Sequence, residues 1–150
     1  MTKTKLPLAA AASGEAKMIT AKALLDFTQD RYKSVYEEIW ASEGALLIAD
    51  LFITPVAITL YEPISFHVPG GRYTPDFQHI LQTGEIVFVE IKATRFQKNF
   101  RDAHSKLRAA AEVYPYYHWI LAFAPHRTTP AWSLEQIGGR KLRLEAVDNR

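Results

Sequence analysis

Two apolar segments joined by a short polar loop constrain the fold of this chain more than any other feature. Residues 72–81 and 85–92 are rich in β-branched and aromatic side chains, and residues 82–84 lie between them. Three-residue loops with a left-handed glycine are common hairpin connections, and Gly84 occupies that position here. The pattern therefore predicts an antiparallel β-hairpin.

The register of this hairpin brings charged side chains together. With a three-residue loop, Leu81 faces Glu85, and counting back along both strands places Asp76 opposite Glu90. Glu90 and Lys92 share one face because strand side chains alternate, and they lie about 6–7 Å apart along the strand. We therefore predict that two carboxylates and one ammonium group converge. The opposite face carries the apolar residues Phe77, Val87, Val89 and Ile91.

Hydrophobic periodicity predicts further elements on both sides of the hairpin. Residues 20–44 have helical spacing that ends at Gly44, and from Leu46 onward the composition favours strands. Residues 97–114 carry the apolar stripe of an amphipathic helix. The sequence thus predicts an α/β fold with a central sheet flanked by helices. The other predicted strands are 57–61, 64–68, 116–123 and 141–147. Of these, 116–123 is apolar on both faces.

Length and composition indicate one globular domain. With 150 residues, of which 48% are hydrophobic and 23% charged, the chain can bury a single core. We predict a tail at residues 1–18 and one domain at residues 19–150. The absence of cysteine from the sequence excludes disulfides, thiolate metal sites and cysteine nucleophiles. A formal charge of +2 is too small to indicate nucleic-acid binding by itself.

The sequence contains no apolar run of the roughly 20 residues that a membrane-spanning helix requires. Its first residues combine two lysines with an alanine-rich stretch, as a signal peptide would. However, Pro7 interrupts the stretch, and alanine is only weakly hydrophobic. We therefore expect a cytoplasmic protein with no membrane partner.

Asp76, Glu90 and Lys92 match what phosphodiester hydrolysis requires. An attacking water must be activated, and the extra negative charge of the transition state must be neutralised. Mg²⁺ can do both, and it needs only one or two carboxylates with a backbone carbonyl and water. Asp76, Glu90 and the Ile91 carbonyl are therefore candidate ligands for Mg²⁺, for which Mn²⁺ would substitute. Lys92 can orient the water or neutralise the developing charge.

Each part of this pattern also has an ordinary explanation. A Glu-x-Lys on a strand is commonly part of a solvated face, and Pro-Asp occurs in many turns. Their joint register is what carries the prediction. The five histidines show no metal-ligand spacing, and His118, which lies inside an apolar strand, is expected to be a hydrogen-bonded core residue.

Three motifs occur in a fixed order along the chain. They are Tyr-Thr-Pro-Asp-Phe at 73–77, Val-Glu-Ile-Lys at 89–92, and Arg-Asp-Ala-x-x-Lys-x-x-x-Ala-Ala-Glu-x-Tyr-Pro at 101–115. Together they resemble the phage family of small Holliday-junction-resolvase-like endonucleases within the PD-(D/E)XK superfamily. The resemblance implies a restriction-endonuclease-like αβββαβ core with a mixed sheet, dependence on Mg²⁺ or Mn²⁺, action on branched DNA, and a homodimer of phage or prophage origin. Ala93 departs from the pattern, since such sequences frequently have glycine after the lysine.

The resemblance also implies a glutamate on the first helix that points at the metal site. Glu37, Glu38 and Glu43 are the candidates, and the spacing to Trp40 favours Glu37. The alternative for each is a helix carboxylate that faces solvent.

Basic residues near the hairpin and on the second predicted helix are candidate contacts for DNA phosphates. Lys106 lies four residues after Asp102 and can form an ordinary helix-surface ion pair, whereas the resemblance gives it a contact with DNA phosphate. A charged stripe is also commonly only a solvated face. Phosphate contacts would add affinity but little sequence information. The candidate set is Arg72, Arg95, Lys98, Arg101, Lys106 and Arg108.

Two alternatives to a branched-DNA nuclease remain open. A restriction- or transposase-type nuclease would cut duplex DNA, but it needs base-reading elements for which 150 residues leave little room. A catalytically inactive DNA-binding module could share the fold, although the full Asp-Glu-Lys set argues against it. For the expected dimer, several aromatic and apolar residues are candidate contacts unless they cover the sheet. These are Phe27, Tyr32, Tyr36, Trp40, Trp132, Leu134 and Ile137.

Overall fold

The computed structural model describes residues 31–138, which are organised around a five-stranded mixed sheet. Two helices and seven strands are present in this part of the chain. In chain order they are α1 (Val35–Phe52), β1 (Val56–Tyr61), β2 (Phe66–Val68), β3 (Gly71–Tyr73), β4 (Phe77–Leu81), β5 (Ile86–Lys92), α2 (Phe100–Val113), β6 (His118–Phe123) and β7 (Ser133–Gln136).

The strand order in the main sheet is β1-β4-β5-β6-β7. Strands β5 and β6 are parallel, and the other neighbours are antiparallel. Helix α2 makes the crossover that a parallel pair requires. Strands β2 and β3 form a separate two-stranded hairpin. The predicted α/β class with a central mixed sheet and flanking helices is therefore confirmed.

The two faces of the sheet bury separate apolar clusters. Helix α1 covers one face, where Trp40 and Ile48 pack against alternate residues of β4, β5 and β6. Helix α2 and the β2–β3 hairpin cover the other face, around Phe88 and Trp119. Because β5 and β6 lie inside the sheet and are covered on both sides, they are apolar on both faces. This explains the unbroken hydrophobic run predicted as a buried strand at 116–123.

The predicted hairpin forms with the predicted register, but its first arm begins at Phe77 and not at Arg72, because Gly71–Tyr73 form β3 and pair with β2. Phe77 pairs with Val89, and the pairing continues toward the loop with one residue opposite one residue. Gly84 has the left-handed φ of 86°, and the Leu81 N–H donates to the Glu85 carbonyl at 2.9 Å. The apolar face also agrees, because the four residues assigned to it all lie in the cluster under α1.

Helix α1 corrects three predictions about the residues before the sheet. It continues past Gly44 to Phe52, so Gly44 does not end it and the residues from Leu46 to Phe52 are helical. The glycine serves packing, because a β-carbon there would lie 2.3 Å from the Trp40 ring. The helix ends where Ile53 adopts a left-handed conformation. Residues 31–34, also predicted as helical, precede the helix, which begins at Val35 after the capping Ser34. The predicted tail at residues 1–18 and the predicted helical residues 20–30 lie outside the described residues.

The outer strand next to β6 was not predicted from the sequence. Strand β7 pairs antiparallel with β6, but its four residues, Ser-Leu-Glu-Gln, carry no clear alternation. Tertiary pairing with an already buried strand determines its conformation. The edge strand predicted at 141–147 lies outside the described residues.

Most of the candidate dimer contacts instead cover the sheet. Trp40 is fully buried, and Tyr32, Trp132 and Leu134 pack against the same cluster. Ile137 belongs to the cluster under α2. The prediction that they contact a second subunit is therefore wrong for the buried Trp40 and Ile137. Tyr32, Trp132 and Leu134 are partly exposed, and for them it stays a prediction. Of the remaining two, Tyr36 is partly exposed, and Phe27 is not among the described residues.

Neither helix of the described chain is long and apolar enough to cross a membrane.

A buried histidine connects α1 with two strands. The Trp40 indole N–H donates to His79 Nε2 at 3.0 Å, so this nitrogen must be unprotonated. The proton of the neutral ring then lies on Nδ1, which donates to Thr59 Oγ1 at 2.9 Å. Burial lowers the pKa of His79 to about 4. A second proton, on Nε2, would point at the indole N–H, and the resulting positive charge would lie in a buried place without contact with water.

This histidine should make the protein less stable in mild acid. The unfolded chain has an ordinary histidine pKa near 6.5, so it takes up a proton that the folded state excludes until about pH 4. The stabilisation is therefore complete above pH 6.5 and decreases as the pH falls to about 4, by up to about 3 kcal/mol. Urea unfolding of the wild type, His79→Gln and the exposed-site control His67→Gln across this range measures the effect. A pH dependence in His79→Gln equal to that of the wild type would contradict it.

Candidate active site

Asp76, Glu90 and Lys92 meet where β4 begins and β5 ends. The register of the two strands, extended by one residue, places Asp76 opposite Glu90. The Ile91 N–H donates to Asp76 Oδ2 at 2.7 Å, and Lys92 Nζ lies 3.1 Å from Glu90 Oε1. The backbone pairing of β4 with β5 begins at Phe77, and beyond it the side chain of Asp76 accepts the next free N–H of β5, that of Ile91. The structure thus brings together the three charged residues predicted to converge.

The two carboxylates are buried and repel each other. Asp76 is 9% exposed and Glu90 6% exposed. Burial raises the pKa of Asp76 well above its usual range, and the charge of Glu90 raises it further, against the stabilising Ile91 N–H. Burial also raises the pKa of Glu90, although Lys92 and a hydrogen bond from Tyr73 oppose this effect. Such perturbed carboxyl pKa values are typical of functional sites.

This excess of buried negative charge fits a divalent cation. Mg²⁺ prefers oxygen ligands and retains several waters, so Asp76, Glu90 and the Ile91 carbonyl form an adequate protein ligand set. The pKa of each carboxyl is raised chiefly by burial, and Lys92 lowers both pKa values without offsetting that effect. Among residues 31–138, no group of three or more histidine, aspartate or glutamate side chains is placed so that it could hold a metal ion. The predicted set contains only two such side chains.

Tyr73 contacts the site and was not assigned a role from the sequence. Its hydroxyl donates to Glu90 Oε2 at 2.8 Å, and the side chain is only 4% exposed. Burial and the charge of Glu90 raise the pKa of Tyr73 well above its usual range, so the hydroxyl stays a donor. Tyr73 lies in the first sequence motif, but no local pattern shows that its hydroxyl reaches Glu90 on β5.

Glu37 is the buried member of the three helix glutamates. It lies in the first turn of α1, where its N–H donates to the capping Ser34 Oγ at 3.2 Å. Its Oε2 accepts hydrogen bonds from the Tyr61 hydroxyl at 2.7 Å and from the Lys33 N–H at 3.0 Å. The charge of Glu37 contributes to the raised pKa of both Asp76 and Glu90, while its hydrogen bonds are to Tyr61 and Lys33.

The other two helix glutamates face away from this site. Glu38 is exposed. Glu43 is also exposed, and it accepts a hydrogen bond from the Trp132 indole at 2.9 Å.

The basic residues differ in how free they are to contact phosphate. Lys106 Nζ lies 3.5 Å from Asp102 Oδ2, which is the helix-surface ion pair considered above. Arg95 forms an ion pair with Glu135, and its guanidinium lies 4.8 Å from the centre of the Phe123 ring. The remaining four are exposed and have no ion pair within the described residues. These four are Arg72, Lys98, Arg101 and Arg108.

His118 is a core residue, as predicted. It is 3% exposed, and its Nε2 lies 3.2 Å from Glu85 Oε2. Its position at the start of β6 is at the opposite end of that strand from the pairing with Lys92. His118 therefore takes no part in the candidate active site.

No family model matches the chain, and no match is found among curated proteins or solved structures. The functional argument therefore depends on the arrangement of the residues themselves.

Proposed function

We propose that this protein is a metal-dependent DNA endonuclease of the PD-(D/E)XK type that hydrolyses phosphodiester bonds in branched DNA. One observation carries the proposal. Asp76, Glu90 and Lys92 converge at the end of β5, with both carboxylates buried and both carboxyl pKa values raised. An uncompensated carboxylate pair beside a lysine is costly for stability, which is characteristic of a catalytic site.

The order of elements supports the restriction-endonuclease-like core. Elements α1, β1, β4, β5, α2 and β6 follow the αβββαβ order, and the short β2–β3 hairpin is inserted after β1. The sheet is antiparallel up to β5 and becomes parallel at β6. In this arrangement, the ends of β4 and β5 present the charged residues on one side of the sheet.

The residues of the site divide the chemistry among them. Asp76, Glu90 and the Ile91 carbonyl would hold Mg²⁺ or Mn²⁺, which supplies Lewis acidity at the phosphate when bound. Tyr73 donates to one oxygen of Glu90 and so orients the carboxylate. Lys92 is paired to the other oxygen. Its ammonium can instead donate to the attacking water or to a phosphate oxygen and neutralise the developing negative charge.

The substrate class follows from the kind of contacts available. The exposed basic side chains of Arg72, Lys98, Arg101 and Arg108 would bind phosphates, which positions DNA without reading its sequence. A four-way junction has two-fold symmetry, so a homodimer could cut two equivalent strands. We therefore propose a structure-specific enzyme acting as a homodimer, of phage or prophage origin and working in the bacterial cytoplasm.

A cleavage assay tests this function directly. Four-way junction, flap, single-stranded and fully paired DNA of the same length are incubated with the protein and Mg²⁺, Mn²⁺ or EDTA. The expected result is metal-dependent cutting that favours the branched substrates. Cutting of paired DNA at defined sequences would favour the restriction- or transposase-type nuclease. Binding to DNA without cutting under any metal would instead identify an inactive DNA-binding module.

Glu37→Gln is expected to slow cleavage by about 10- to 100-fold, the usual effect of removing a group that supports metal ligands. Its carboxylate is buried and its charge contributes to the raised pKa of Asp76 and Glu90, whereas the carboxylate of Glu38 is exposed. Glu38→Gln is the matched control and should leave the rate unchanged. Single-turnover cleavage at saturating DNA separates the two variants. Equal and negligible effects would remove Glu37 from the site.

A further inference from the structure

A cavity of about 570 Å³ opens directly beyond Lys92. Its wall includes Ala93, the next residue in the chain. It also includes Phe123, the register partner of Lys92 on β6, and Ala124, whose N–H donates to the Lys92 carbonyl at 2.9 Å. Paired residues on neighbouring strands point to the same face, so the side chains of Lys92 and Phe123 are neighbours. The cavity and the proposed active site are therefore adjacent.

The cavity is lined mainly by apolar atoms together with aromatic rings and one guanidinium group. The Arg95 guanidinium lies over the Phe123 ring and is held there by Glu135. Phe96, on the loop between β5 and α2, also lines the cavity, yet it is 98% exposed. An aromatic side chain left almost wholly in water contributes nothing to the core of this chain. Its position favours a role in contacting a ligand.

We propose that this cavity binds an unpaired nucleobase of the DNA strand that is cut, with Phe96 as a stacking platform. The inference rests on the proposed function, because it places the base beside the residues that would handle the phosphate. The cavity has the size of a small-molecule site, for which about 300–1,000 Å³ is usual. Aromatic rings and arginine planes stack on the faces of unpaired bases with little regard to sequence.

The proposal defines the substrate more narrowly than branched DNA. A base inside a duplex is covered on both faces by its neighbours, and it must be unstacked before it can enter a pocket. Bases in a flap or in a single strand are already free, whereas a base at the branch point of a four-way junction is paired and would have to open first. An apolar cavity next to a phosphate-handling site would therefore select DNA in which at least one base beside the scissile bond is unpaired.

Binding measurements in EDTA test the proposal independently of cleavage. Fluorescence anisotropy measures the affinity of the protein for a labelled oligothymidine and for a fully paired duplex of the same length. Phe96→Ala is expected to weaken oligothymidine binding roughly tenfold, as the loss of one stacked base does, and to leave duplex binding unchanged. Tyr116→Ala is the matched control, because Tyr116 is also an exposed aromatic but precedes the opposite end of β6. It should change neither affinity.

A second probe distinguishes stacking from phosphate binding. An oligonucleotide with the same number of phosphates but with abasic sites should bind the wild type more weakly than oligothymidine, and Phe96→Ala should bind the two alike. If Phe96→Ala loses affinity equally for oligothymidine and for duplex, or loses affinity for neither, the proposed base-binding site is rejected. If the protein fails this test but cuts junctions, the nuclease proposal is retained and the base-binding site is rejected. A selective loss in a protein that cuts no DNA would retain the base-binding site and reject the nuclease.

Discussion

Asp76→Asn and Glu90→Gln are each expected to reduce cleavage of branched DNA by at least ~10³-fold. Each change removes one negative charge from the proposed ligand set and leaves the size of the side chain nearly unchanged. The asparagine oxygen at position 76 can still accept the hydrogen bond from the Ile91 N–H. Loss of the charge, rather than loss of folding, should therefore account for the loss of activity.

The same Asp76→Asn change is expected to make the metal-free protein more stable. Burial and the nearby charge of Glu90 both disfavour the ionised form of Asp76, and their effect is to raise its pKa. A neutral amide at this position avoids that cost. The free energy of unfolding in EDTA at neutral pH should rise by about 1 kcal/mol, the usual size of such gains at functional sites. A variant that is inactive yet more stable identifies a functional carboxylate.

Three measurements check this pair of variants. Single-turnover cleavage gives the rate, urea unfolding in EDTA gives the stability, and calorimetry gives the affinity for Mg²⁺, which both variants should lose. Asp50→Asn and Glu112→Gln are matched controls, because both positions are exposed on helices α1 and α2. Metal-dependent cleavage retained in both site variants would rule out the proposed mechanism.

Lys92→Met is expected to lower turnover by ~10²- to 10⁴-fold while leaving Mg²⁺ binding at least as strong as in the wild type. The methionine preserves much of the half-buried stem and removes only the ammonium group. That ammonium is paired to Glu90 Oε1 in this structure, so its removal frees a carboxylate oxygen and removes a repelling positive charge. The metal-free variant should also be less stable, since Lys92 lowers the pKa of both Asp76 and Glu90.

Lys92→Arg separates the charge from its position. Arginine keeps a positive charge beside Glu90 and should therefore preserve the stability of the metal-free protein. Its planar guanidinium, however, places the hydrogen-bond donors differently from the lysine ammonium. Calorimetry with Mg²⁺, together with cleavage at saturating DNA, distinguishes the roles. Weaker Mg²⁺ binding by Lys92→Met would show that the lysine supports the metal site instead of the reaction.

Some features could be predicted from the sequence because neighbouring residues determine them. The turn at Gly84 follows from the freedom of glycine to adopt positive φ, and the alternation of β5 follows from strand geometry. The register that this turn sets then places Asp76 opposite Glu90. The amphipathic helix α2 and the buried strand β6 were recognisable for the same reason, since their apolar patterns are long and regular.

Other features depended on contacts that local patterns do not encode. Gly44 resembled a helix end, but it is a packing site for the Trp40 ring inside α1. Strand β7 is too short and too polar to be recognised, and it forms because β6 offers an edge for pairing.

The sequence by itself determined the fold class, the hairpin and the convergence of three charged groups, because alternation and turn geometry act within a few residues. Only the tertiary structure decided which helix glutamate is buried, since its partner Tyr61 lies 24 residues from Glu37 along the chain. The tertiary structure also decided that Tyr73 holds Glu90, and that an open cavity lies beyond Lys92. These features arise where separate segments pack together, and side-chain burial in such places depends on the whole fold rather than on local pattern.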